Sequence, residues 1–218
     1  MRPRLPLPLL VLATALVIAV ALAVIIGRSS SRNSSPTEPS AGTSSNASSP
    51  SASGFDGAAL PANVSAPDFT LTDQHGSRVA LRQYRGQVTV LAFLYSTCGA
   101  TCVVIAQQIR GALDELRKPV PVVIVSADPT ADTPASVSRF LEKVSLSGRV
   151  HYLTGPVSRL RSIWRAYRVV PASSTRAAFD RSASVLLLDG QGRERVVFGQ
   201  EQLTPEALAH DIGKLYAG

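Results

Sequence analysis

The chain has 218 residues, 45% of them hydrophobic, and its 22 Lys and Arg outnumber 15 Asp and Glu for a formal net charge of +7. That length suits one ordinary domain with some chain to spare, and the charged fraction of 17% is too low for a coiled coil. Two cysteines exclude a disulfide-dense mini-protein and a four-cysteine zinc site, and the single methionine, Met1, excludes a methionine metal ligand in the domain.

Residues 5–27 contain no charged side chain. A helix of that length spans the ~30 Å hydrocarbon core, whereas the apolar region of a cleavable signal runs to about 15 residues. Arg2 and Arg4 precede it, and Arg28 and Arg32 follow. The sequence therefore reads residues 1–27 as a retained, single-pass transmembrane signal anchor, with the C-terminal domain outside the cytoplasm at the cell membrane. Residues 28–61 are mostly Ser, Pro, Ala, Gly, Thr and Asn and cannot bury enough apolar surface to fold. They read as a disordered tether, which leaves residues 62–218 for the folded domain.

Within that domain, residues 68–71 and 78–81 flank the turn Asp73-Gln74-His75-Gly76 and read as an early hairpin. Residues 87–95 form an apolar, β-branched run expected to be a buried strand, followed by the cysteine segment and a helix over 102–117. Residues 120–125 are the next buried strand. Thr133-Pro134 and Thr204-Pro205 each pair a capping threonine with proline at the first helical position, so helices are expected to 146 and to 216. Between them lie a strand at 150–153, a helix at 156–167, a loop, and a hairpin formed by 184–189 and 193–198 around Gly190-Gln191-Gly192. This alternation predicts an α/β fold whose sheet has a parallel centre flanked by helices.

Cys98 and Cys102 fall where a buried strand gives way to a helix. Helix N-terminal amides and the helix dipole favour an anion there, so a thiolate is stabilised and becomes a better nucleophile or metal ligand. Three intervening residues let both sulfurs lie on one side of the first turn. The competing readings are a redox or metal pair, and two buried structural thiols or one inert disulfide; position favours the first. Asp128 and Asp132 follow the neighbouring strand, on the same sheet edge. Asp132 is explained by helix-start chemistry, and Asp128 stands as a residue that could modulate the thiols. No nucleotide-binding or serine-hydrolase motif is present, and the basic residues lack the aromatic interleaving of a nucleic-acid binder.

The segment from Phe93 to Cys102, FLYSTCGATC, resembles the F-x-Y-T-x-C-P-x-x-C-P segment of the SCO/SenC family. Pro67-Asp68-Phe69, the loop from Ser126 to Pro134, Leu153-Thr154-Gly155 and Asp180-Arg181-Ser182 are similar to further segments of that family. The resemblance implies a thioredoxin-like fold with an N-terminal β-hairpin extension. It also implies a role in copper delivery and assembly of cytochrome c oxidase, acting on a cysteine-bearing oxidase subunit or another extracytoplasmic thiol protein. The family binds copper through two cysteines and the histidine of a D-H-S motif, and here that histidine is Arg181. A guanidinium offers no lone pair, so it is no ligand, and its charge near the thiols would favour thiolate. Both prolines of the cysteine motif are replaced, by Gly99 and Val103. His75, His151 and His210 are read as solvated or paired side chains. The remaining metal ligands are Cys98 and Cys102, a pair suited to Cu(I) and poor for Cu(II).

The leading expectation is thus a membrane-anchored thiol–disulfide oxidoreductase with Cys98 attacking and Cys102 resolving. The alternatives are a Cu(I) chaperone using only the two thiolates, and a redox-inert module that docks partners. Peroxidase chemistry is disfavoured because the Pro and Thr that precede a peroxidatic cysteine are missing.

Overall fold

The computed structural model describes residues 53–218; the anchor and most of the tether expected from the sequence lie outside the described residues. Among the described residues, eight strands and five α-helices follow one another as β1 (Ala58–Ala59), β2 (Thr70–Thr72), β3 (Arg78–Ala80), β4 (Thr89–Leu94), α1 (Ala100–Glu115), β5 (Val122–Ser126), α2 (Pro134–Lys143), β6 (His151–Leu153), α3 (Val157–Ala166), α4 (Arg176–Ser182), β7 (Ser184–Leu188), β8 (Glu194–Gly199) and α5 (Pro205–Ala217). Six strands form one sheet in the order β1-β8-β7-β4-β5-β6, and β2 and β3 pair in a separate hairpin. β4, β5 and β6 run parallel, while β7 is antiparallel to β4 and to β8. The result is a central mixed sheet flanked by helices.

Alternation along the strands builds two cores. Val90, Ala92 and Leu94 of β4 and Ile124 of β5 face one layer, with Cys98, Cys102, Ile105 and Ile109 of the α1 region and Leu208 and Ile212 of α5. Leu91, Phe93, Val123 and Val125 face the other, against Leu160, Ile163 and Trp164 of α3. A strand buried on both faces is apolar at nearly every position, which is why β4 reads as an unbroken hydrophobic run from Val90 to Leu94.

The two threonine caps form as the sequence predicts. Thr133 accepts from the Ser136 N–H at 3.2 Å and Thr204 from the Ala207 N–H at 3.1 Å. Two elements were not legible. The expected loop before β7 contains α4, capped by Thr175, whose hydroxyl accepts from the Ala178 N–H at 3.1 Å. Ordered structure also begins ahead of residue 61: β1 pairs with β8, and the buried Asp211 carboxylate accepts from the Asp56 and Gly57 N–H groups at 2.9 Å each. Lys214 adds a 3.0 Å bond to the Gly54 carbonyl. Among the described residues no helix is long and apolar enough to cross a membrane.

Candidate redox site

β4 ends at Leu94, and the chain turns through residues 95–99 before α1 begins. Gly99 is the N-cap, with φ of 80° and ψ of −137°, a region closed to side chains with a Cβ. Cys98 and Cys102 are joined as a disulfide with a Cα–Cα separation of 5.8 Å. The Cys102 N–H, in the first turn of α1, donates to Cys98 Sγ at 3.1 Å. The helix amide thus points at the sulfur of Cys98, the arrangement that stabilises a thiolate once the bond is reduced.

Both sulfur-bearing residues are fully buried, whereas Thr97, Gly99 and Ala100 are exposed. The approach to the pair is therefore over this turn. Ser96, Thr97, Gly99 and Val103 border an open hollow of about 300 Å³ whose far wall is Ser136, Arg139, Phe140 and Lys143 of α2.

Asp132 holds the turn in place, a role beyond the helix-start chemistry read from its sequence. Its carboxylate is buried and accepts from the Ser96 N–H at 2.7 Å, the Ser126 hydroxyl at 2.5 Å and the Tyr152 hydroxyl at 2.8 Å. One side chain thereby joins the cysteine turn to Ser126 at the end of β5 and to Tyr152 in β6. Burial pushes its carboxyl above the usual range, and the donors from Ser126, Ser96 and Tyr152 only partly offset that cost. Trp164 closes the same edge by donating to the Ser126 carbonyl at 2.9 Å. Asp128 is half-buried, and its side chain accepts from the Thr130 and Ala131 N–H groups in the loop ahead of α2.

Arg181 is exposed in the last turn of α4 and lines a different hollow, with Asp180, Ala183, Gly199, Gln200, Glu201 and Gln202. The guanidinium set against the cysteine turn is that of Arg176, which fills the space where a Cβ on residue 99 would stand. Sequence reasoning missed Arg176; the signal available was the glycine replacing the family's proline at position 99. Tyr95 lies beneath this region, edge-on to Phe179 at 4.9 Å between ring centroids. Burial pushes its hydroxyl up, with Arg176 opposing and Asp180, Asp128 and Asp132 reinforcing.

The histidines take the places read for them. His75 is exposed in the β2–β3 turn, and His151 Nδ1 faces Asp73 at 3.2 Å. His210 Nδ1 lies 3.0 Å from Asp56 and from Asp211, and these three residues are the only cluster of three donors among the described residues; it contains no cysteine.

The fold and the cysteine pair at a strand-to-helix turn define a thioredoxin-like α/β protein. The SCO1/SenC family model matches residues 58–217, and the chain belongs to that family. It is 26% identical over 159 residues to the protein sco1 of Schizosaccharomyces pombe, covering 68% of this chain and 59% of that one. The chain spans 59–60% of the length of the first curated relatives it matches. Bradyrhizobium japonicum ScoI, solved with copper bound, superposes with a TM-score of 0.53 at 27% identity, covering 70% of this chain and 99% of that one. A shorter similarity, 37% identical over 89 residues, links the chain to peroxiredoxin Bcp of Escherichia coli and covers 40% of this chain and 54% of that protein.

Proposed function

We propose that this SCO/SenC protein is a membrane-anchored, extracytoplasmic thiol–disulfide oxidoreductase, acting through Cys98 and Cys102 on a cysteine pair of an oxidase subunit or another thiol protein. The observation that carries the reading is the Cys102 N–H aimed at Cys98 Sγ from the first turn of α1. The family's part in copper-centre assembly of cytochrome c oxidase supports the choice of substrate, and the anchor read over residues 1–27 supports the location.

In the reduced protein the Cys98 thiolate attacks one sulfur of the substrate disulfide and expels the other as a thiolate. Cys102 then attacks Cys98 Sγ in the mixed disulfide and releases the second substrate sulfur. Two electrons pass to the substrate, and the two protons shed by the protein thiols end on the two substrate thiolates. The protein keeps the Cys98–Cys102 disulfide, the form described here. The Asp132 bridge to Ser96 holds the turn so that Cys98 keeps its place before α1.

Copper is the cargo the family implies. Two sulfurs without an imidazole suit linear Cu(I), and they suit Cu(II) poorly. Loading therefore requires the reduced pair, and exchange and Cu(I) carriage draw on the same two atoms. The peroxiredoxin similarity does not alter the reading, because Ser96-Thr97 stand ahead of Cys98 where a peroxidatic cysteine is preceded by a different pattern.

The test is trapping. Reduced Cys102→Ser chain should accumulate a mixed disulfide with a dithiol-peptide disulfide, seen as one added peptide mass, and Cys98→Ser should not. Trapping by Cys98→Ser alone would reverse the assigned roles, and trapping by neither would remove the exchange activity.

A further inference from the structure

The buried sulfurs offer a partner almost no surface, so recognition has to come from what surrounds the turn. Arg139 and Lys143 of α2 line the hollow beside Gly99, and Arg176 of α4 closes over Gly99 itself. No carboxylate lines the hollow. Among the described residues none of these three cations is paired with an acid: the ion pairs of the fold engage other side chains. Asp180, four residues along α4 from Arg176, forms no ion pair with it, and three further acids flank the region. Asp132 is buried under its donors, Asp128 accepts from its own loop, and Glu142 is exposed on α2 without lining the hollow.

From this geometry we infer that the cysteine turn docks an acidic segment of its thiol-protein substrate, with Arg139, Lys143 and Arg176 receiving the carboxylates while the substrate sulfurs approach over Gly99. This rests on the exchange reading above and adds the chemistry of the partner. Cations around this open approach speed encounter with an acidic chain and disfavour a basic one, an effect that salt weakens. The glycine at position 99 is part of the device. A proline or any Cβ there would displace the Arg176 guanidinium.

The experiment uses the full chain, reduced, in a nonionic detergent. Its probes are three disulfide peptides that differ only in glutamate, glutamine or lysine flanks. Each rate is divided by the same protein's rate with bis(2-hydroxyethyl) disulfide, so that any effect of the cations on the sulfurs cancels. The normalised rate should be about tenfold higher for the glutamate peptide than for the lysine peptide at low salt, and the gap should close as salt rises. The triple variant Arg139→Gln, Lys143→Gln, Arg176→Gln should bring the ratio near one. Arg139→Lys with Arg176→Lys should keep it. Removing the same number of charges from the opposite face of the sheet, with Arg159→Gln, Arg161→Gln and Arg165→Gln, should also keep it. Equal rates in the wild type, an undiminished ratio in the first triple variant, or an equal fall in the second overturns the inference. A wild type that fails to react even with the small neutral disulfide overturns the exchange reading, and this inference with it.

Discussion

Asp132 shows how much of the site rests on one side chain. Three donors, the Ser96 N–H and the hydroxyls of Ser126 and Tyr152, converge on a carboxylate that is 4% exposed. Asp132→Ala strips the buried Ser126 hydroxyl and the Ser96 N–H of their acceptor and leaves Tyr152 only the Leu94 carbonyl, and we predict a loss of about 3 kcal/mol in urea unfolding together with slower exchange at Cys98. Unchanged stability would mean that water replaces the carboxylate. Gly99 is equally constrained, by its positive φ and by Arg176. Gly99→Ala should cost about 1–3 kcal/mol on the same assay. At the sulfurs, the donor set predicts that the wild type gives no intense thiolate-to-copper charge-transfer absorption with Cu(II), while the reduced pair takes up Cu(I). A strong Cu(II) band would reveal a further ligand. The cysteine pair was legible because its spacing and its strand-to-helix position are local properties of the chain. The reach of Asp132 to Ser96 and the contact of Arg176 with Gly99 are not: each joins residues far apart in sequence, and an aspartate ahead of a Thr-Pro helix start is already explained by the loop it sits in.

At the scale of elements, the two hairpin turns share a device. Asp73 accepts from the N–H groups of His75 and Ser77 at 2.9 and 2.8 Å, and Asp189 from those of Gln191 and Arg193 at 3.0 Å each. Asp189 also accepts from the side chains of Arg193 and Arg195. Burial alone would raise both carboxyls, but the turn amides, with His151 at Asp73 and the two arginines at Asp189, more than offset it and hold both below the usual range. A carboxyl lowered in the folded state contributes stability that is present above its unfolded value and lost as pH falls through its folded one. Unfolding midpoints should therefore drop as pH falls below about 4, and Asp189→Asn should flatten part of that slope while lowering stability at neutral pH. A slope identical to that of the wild type would place the acid sensitivity elsewhere. The hairpins and the long elements follow from periodicity and turn residues. Helix α4 does not, because it spans only seven residues and is fixed by Phe179 buried against Tyr95 and by its Thr175 cap. The two-residue β1 is likewise too short to carry a pattern; β8 and the Asp211 carboxylate define it.

For the molecule as a whole, the sheet and its two cores follow from an apolar run at β4 that had to be covered on both sides. The reading of residues 1–27 as an anchor adds that the chain should remain with membranes after carbonate washing, and that protease applied from outside should release the folded domain by cutting within the Ser- and Pro-rich tether. Recovery mainly as a soluble form lacking the apolar segment would contradict the anchor. The central claim is that Cys98 and Cys102 are a working redox pair rather than a fixed brace of the fold. The most direct measurement is an equilibrium titration of the folded chain in graded dithiothreitol buffers, with free thiols counted by alkylation and mass. A working redox pair gives one reversible two-electron transition between the disulfide and two free thiols, with the domain folded throughout. A disulfide that stays closed in excess dithiothreitol until the domain unfolds would contradict it.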